Sequence, residues 1–411
     1  MKHYVIIGNG VAATGCIEGI RRQDADGKIT VVSEEKHAVY CRPLISYYLQ
    51  GKTDAQRMQY RPEDFYEKNG CTVLYGKKAV SGNAANKTVT LDDGTCLSYD
   101  ALCVAAGSSA FVPPFQGLDS VQNKFTFMTL DDTLALEQAI SDDSRVLIVG
   151  AGLIGLKCAE GLHGRVAKIT VCDLADRVLS SILDTDCAEK VQAHLEQNGI
   201  EFLLGDSVQS FDTNTAHMNS GKCVPFDVLV LAVGVRANTA LVRDMGGEAD
   251  RGILIDTAMR TTIPDVYAAG DCTQGLDSSC GERKVLALLP NAYMQGRCAG
   301  VNLAGGEDVL DNAIPMNSIG FFGLHVMTAG SYANAELVEC GKDGNVRKLF
   351  VRDGLLTGFI LIGDTSRAGI YTSMIRDKVP LGSVNFELLK ESATSAAFSC
   401  EKRRNNFGSV V

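Results

Sequence analysis

None of the 14 cysteines in this chain stands in a C-x-x-C pair or in any other cluster spacing. That removes the usual sequence basis for an iron–sulfur centre or a zinc site, and no metal is expected. Scattered free thiols of this kind fit a reducing interior. No apolar run approaches the ~20 residues that a membrane-crossing helix needs. The opening MKHYVIIGNG enters a fold motif rather than a signal-peptide core, so no membrane span and a cytoplasmic location are expected. Positive charge is also short. The 39 Lys and Arg against 49 Asp and Glu leave a formal net charge of −10, which argues against a nucleic-acid partner because phosphate binding needs clustered cations. The one basic run, EKRRNN at 401–406, reads as a solvated tail.

What remains is an ordinary globular composition, 45% hydrophobic and 21% charged over 411 residues, long enough for two or three domains. Within it, one device occurs twice. MKHYVIIG reads as a short apolar strand, and GNGVAATGCIEGIRR follows as a glycine-rich turn opening a helix. Gly8 permits the tight turn, Gly10 lets the backbone approach a pyrophosphate, and the small Ala13 lets helix and strand pack closely. The helix N-terminus then offers free N–H groups and partial positive charge to the phosphates. A second strand, KITVVSEE, ends at Glu34, an acid placed to accept hydrogen bonds from a ribose diol.

The repeat of the device is RVLIVGAGLIGLKCAEGL, with Gly150, Gly152 and Gly155, followed by KITVCDLADRVL ending its strand at Asp173. An acid there repels a 2′-phosphate and favours NADH over NADPH, although Arg177 nearby could accept such a phosphate. Two cradles predict two bound dinucleotides, one a flavin and the other a nicotinamide.

The segment TTIPDVYAAGDC, residues 261–272, makes the reading specific. With it the chain resembles the FAD-dependent pyridine-nucleotide oxidoreductases, whose second flavin motif has this pattern. The resemblance implies that Gly270 allows close approach and that Asp271 holds the flavin's ribityl chain. SYDALCVAAGSSAFVPP resembles the family's crossover segment, with Ala106 in the usual Thr place and Gly107 kept. FDVLVLAVGVRAN resembles the later A-x-G-x-R-P-N, with Gly234 kept and Ala237 in place of Pro. LPNAYMQGRCAGVNLAG, with Gln295, resembles the helix whose N-terminal end points at the flavin. In AVYCRPLISYYLQG, Arg42 and Pro43 match the Y-x-R-P loop of rubredoxin and ferredoxin reductases. The last ~100 residues are similar to the C-terminal domain of rubredoxin reductases and of the flavin portion of NADH-dependent nitrite reductases.

The implied fold is α/β, with two Rossmann-like (glutathione-reductase-type) FAD and NAD domains and a small α+β C-terminal domain. The expected boundaries are 1–112 and 240–305 for FAD, 113–239 for NAD and 306–411 for the C-terminal interface domain. The implied activity is hydride transfer from NADH to FAD, with electrons passed on to a rubredoxin-like or ferredoxin-like protein or to an iron–sulfur subunit. A homodimer or a hetero-complex is compatible with the third domain.

Three alternatives stay open. Cys41 could be the single redox thiol of an NADH oxidase, an NADH peroxidase or a coenzyme A-disulfide reductase. The chain could be the FAD- and NADH-binding electron-input subunit of a larger redox complex. It could also be a non-catalytic nucleotide-binding redox sensor. His325, set among apolar residues, reads as a core histidine rather than a base. Lys157 is the remaining candidate for a catalytic role. It stands where the family usually has glutamate, and Tyr47 stands where ferredoxin reductases place that glutamate's lysine partner. Either Lys157 and Glu160 form an exposed pair at i,i+3, or the cation stabilises anionic reduced flavin.

Overall fold

The computed structural model describes residues 1–399; the basic run at 401–406 and Cys400 lie outside the described residues. Two parallel five-stranded sheets carry the two cradles. The first has the order Val266–Ala268, Ala101–Val104, His3–Ile7, Lys28–Ser33, Cys71–Tyr75. The second runs Ile200–Leu204, Lys168–Asp173, Arg145–Val149, Val228–Leu231, Lys124–Phe125. Strands covered on both faces read as continuous apolar runs rather than alternating ones. That is why HYVII and RVLIV are buried in all but their first residue.

The first sheet takes its edge strand Val266–Ala268 from far along the chain, so the unit is built from two separated stretches. What joins them is a helix pair, Val11–Gln23 against Leu289–Leu303. Its contact is glycine on backbone. A Cβ added to Gly296 would lie 1.9 Å from the Ala12 carbonyl oxygen, and one added to Gly300 would lie 2.1 Å from that of Cys16. No side chain fits in either place.

The chain crosses between the two parallel-sheet units twice, side by side. Ser108–Ala110 pairs antiparallel with Val235–Ala237, and Asn238 ties the crossing down by donating from Nδ2 to the Ala106 carbonyl at 2.8 Å.

The C-terminal unit is an antiparallel five-stranded sheet ordered Met316–Phe321, Leu324–Gly330, Leu355–Ile362, Val346–Arg352, Glu336–Glu339, with the helix Ala368–Arg376 packed on it. It matches the α+β expectation for this region. Its Phe321, Val326, Ile360 and Ile362 enter the same buried cluster as Leu156 and Leu162 of the second parallel-sheet unit and Ile45, Leu49 and Met58 of the first. A buried lysine, Lys348, donates to the Asp184 carboxylate at 2.7 Å across this junction. His325 departs from the expectation. It falls on the outward phase of its strand, between Leu324 and buried Val326, and is exposed.

Gly296→Ala should destabilise the protein by about 1–3 kcal/mol, the usual range for overpacking a close contact. Gly369→Ala, in a helix where an added Cβ meets nothing within 4 Å, should be neutral or slightly stabilising. Thermal melts of the two variants check both; equal Tm values would contradict the close-contact argument.

Candidate functional site

At the C-terminal end of each parallel sheet the chain turns through glycine into a helix. Gly8 and Gly150 have φ of 108° and 119°, and a Cβ on either would strike a carbonyl oxygen of the next strand's end, Ala105 or Ala232, at 2.1 and 2.2 Å. Gly10 and Gly152 differ from these. They are the N-cap residues of Val11–Gln23 and Leu153–Leu162, neither helix has a side-chain cap, and an added Cβ would meet nothing within 4 Å. Each cradle therefore presents uncapped N–H groups beside open space, the condition a pyrophosphate requires. Ala13 is a buried residue of the first helix itself, and Gly155 packs against the Gly150 carbonyl.

The acids behave differently in the two cradles. Asp173 stays at its loop, accepting from the Ala151 N–H at 2.7 Å and from the Ala175 N–H at 2.8 Å, with lone pairs left for a diol. Arg177 is drawn to Asp176 at 2.9 Å. Glu34 is not brought to the first cradle. Its side chain is 68% exposed and pairs with Lys78 at 2.9 Å. Its neighbour Glu35 turns inward instead, accepting from the Tyr40 hydroxyl at 2.6 Å and from Arg42 at 2.5 Å. Two adjacent acids at a strand end point to opposite sides, and the pattern of residue types alone does not say which one is inward.

Arg42 also donates to the Met128 carbonyl at 2.7 Å, and Tyr40 accepts from the Leu130 N–H at 2.9 Å. The loop that carries Arg42 and Pro43 is thereby fastened to the second unit just ahead of the helix Leu130–Ala139. Asp271 faces the same region. Burial raises its carboxyl above the usual value, partly offset by the Arg42 charge. Its neighbour Gly270 donates its N–H to Gln295 Oε1 at 2.8 Å, and Thr273 donates its hydroxyl to the same oxygen at 3.1 Å. Gln295 thus buckles the Asp271 turn onto the helix Leu289–Leu303, whose own N-terminus lacks a side-chain cap. A raised carboxylate kept in place with capacity to accept, two uncapped cradles and the acid at Asp173 fit FAD and NAD(H) in their donor and acceptor chemistry.

Cys41 is half-buried, and burial pushes its thiol up. No cation or histidine is hydrogen-bonded to it, so the activation that a redox thiolate needs is missing. Among the described residues no group of three or more metal-ligating side chains stands together, and no helix is long and apolar enough to cross a membrane.

Lys157 corrects one expectation. Its pair with Glu160 is buried, the two side chains being 15% and 8% exposed. The cause is the C-terminal hairpin, which covers that helix face. Glu160 Oε1 accepts from the Phe322 N–H at 2.8 Å, and Lys157 Nζ donates to the Gly320 carbonyl at 3.2 Å. The ammonium lies 4.8 Å from the Tyr47 ring centroid, within cation–π range. The two positions that depart from the family pattern therefore touch. Removing one member of such a pair leaves a buried charge alone, at a typical cost of about 3–5 kcal/mol.

The profile of the family described as pyridine nucleotide-disulphide oxidoreductase matches residues 2–296, and that of the rubredoxin NAD+ reductase C-terminal domain matches residues 315–379. The chain is 32% identical over 397 residues to the NADH-dependent phenylglyoxylate dehydrogenase subunit epsilon of Aromatoleum evansii, covering 92% of this chain and 93% of that one. It is 30% identical over 390 residues to the NADH oxidase of Methanocaldococcus jannaschii, covering 87% of each. In the solved covalent putidaredoxin reductase–putidaredoxin complex, a chain with 22% identity superposes over 100% of this one with a TM-score of 0.89.

A carboxyl raised on folding costs stability as pH rises. Between the ordinary carboxylate value of ~3.9 and the raised folded value, the unfolded chain binds fewer protons, so stability falls across that interval and is level above it. Asp271→Asn should therefore raise the Tm of the cofactor-stripped protein at neutral pH. It should also weaken FAD retention by roughly ten- to a hundredfold, the loss of about 1.5–3 kcal/mol of charged hydrogen bonding. Melts across the pH range and flavin titration of the apoprotein measure the two effects. Cys41→Ser should leave NADH-dependent dye reduction within about twofold of the parent; loss of turnover would restore the thiol reading.

Proposed function

The chain belongs to the pyridine nucleotide-disulphide oxidoreductase family, and from that premise we propose that it is an FAD-dependent NADH:acceptor oxidoreductase that passes electrons to a one-electron protein carrier. The observation that carries this reading is the pair of uncapped glycine cradles at the ends of two parallel sheets, with no activated thiol at Cys41. When bound, FAD supplies the conversion of a hydride into single electrons.

The residues contribute binding, orientation and charge. Gly8, Gly10 and Ala13 seat the flavin's pyrophosphate. Gly150, Gly152 and Gly155 seat that of NADH, and Asp173 takes its adenosine ribose. Asp271, buckled by Gln295, accepts from the ribityl hydroxyls. Arg42, with Pro43 setting the turn, and the crossing strands at Ala106, Gly107 and Gly234 bring the two cradles into register. We assign 1–112 and 240–305 to the flavin unit, 113–239 to the nicotinamide unit and 306–411 to the C-terminal interface. The free cysteines of the described residues support a cytoplasmic site of action.

A rubredoxin-like or ferredoxin-like acceptor is supported by the C-terminal domain match and by the putidaredoxin held in the solved complex. A second reading, an iron–sulfur subunit of a larger complex, is favoured by the end-to-end similarity to a dehydrogenase subunit.

Anaerobic addition of NADH should bleach the bound flavin, and reoxidation should follow on adding a rubredoxin or ferredoxin but not a coenzyme A disulfide. NADPH should be poorer by at least about tenfold, some 1.4 kcal/mol, and Asp173→Ala should erase that preference. Bleaching by NADPH alone would overturn the assignment of Asp173. Bound flavin without steady-state turnover with any dye or carrier would favour a sensor instead.

A further inference from the structure

Three parts of the chain meet at one ammonium. Lys157 projects from the helix that opens at the second cradle, Tyr47 comes from the short helix Ile45–Leu49 that follows Arg42 and Pro43, and Gly320 belongs to the first strand of the C-terminal sheet. Lys157 Nζ donates to the Gly320 carbonyl at 3.2 Å, lies 4.8 Å from the Tyr47 ring centroid and is paired with Glu160. Glu160 uses its other oxygen on the Phe322 N–H, and the Phe322 ring meets that of His163 edge-on at 4.9 Å. Phe322 sits at φ 46° in the hairpin tip, a backbone state that a non-glycine residue holds only when its surroundings fix it.

We propose that Lys157 is a positioning residue, pinning the NADH-binding helix, the flavin-side helix and the hairpin tip 320–324 in one register so that the nicotinamide site is formed before NADH arrives. This deepens the proposed function and rests on it. The charge is neutralised within the protein by Glu160, so the ammonium acts through geometry rather than through the potential of reduced flavin. A preformed site binds without first ordering its walls, and loss of the pin is felt where register matters, in NADH binding.

The test uses holoenzyme carrying Lys157→Met, Lys157→Arg or Glu160→Gln. In the Met and Gln variants amide exchange across 316–324 should accelerate. Their KM for NADH should rise on the order of ten- to a hundredfold, with the flavin midpoint unchanged. Lys157→Arg keeps a cation against the Gly320 carbonyl and should restore both exchange protection and KM. If one variant fails to fold, the others carry the comparison. Parental exchange and KM in the Met and Gln variants would overturn the proposal. So would a shifted flavin midpoint with unchanged exchange, which would assign the charge to the flavin. Failure of NADH to bleach the parent's flavin would refute the underlying function instead.

Discussion

The glycine-on-backbone contact between Val11–Gln23 and Leu289–Leu303 is the constraint on which the rest of the site depends. The first helix opens at the Gly8–Gly10 cradle, and the second holds the Asp271 turn through Gln295. Their separation fixes how far the Gly10 cradle lies from the Asp271 carboxylate. A contact with no side chain in it cannot relax by changing a rotamer, so the distance is set by backbone alone. A dinucleotide site assembled from two distant stretches of chain needs a gauge of this kind.

The cradles and their strands were legible because backbone geometry leaves little choice there. Positive φ at Gly8 and Gly150, with a carbonyl oxygen where a Cβ would stand, demands glycine there. Asp173 was legible for a similar reason, standing at the strand's end with its loop's N–H groups in reach. Glu34 and Glu35 were not separable, since the answer depends on Lys78 competing for one and on Tyr40 and Arg42 holding the other. Lys157 and Glu160 were recognisable as neighbours at i,i+3. That the pair is buried is a tertiary fact, supplied by a hairpin more than 150 residues further along. His325 shows the reverse case, where apolar neighbours in sequence suggested a core position and strand phase turned the ring outward.

One buried cluster joins the C-terminal sheet, the second parallel-sheet unit and the Arg42 loop. The third unit is therefore packed onto the other two through a common core rather than standing apart from them.

The ribbon formed by Ser108–Ala110 and Val235–Ala237 has a consequence for how the two parallel-sheet units are joined. Ala110 and Val235 face each other across one antiparallel pair, where Cα atoms stand only about 5 Å apart. The whole length between them leaves and re-enters the first parallel-sheet unit at a single point, so a two-residue turn would close the gap if that length were removed. Seen this way, the second parallel-sheet unit is an insertion into the first at one paired crossing. Replacing that insertion would leave every strand of the first parallel sheet in place.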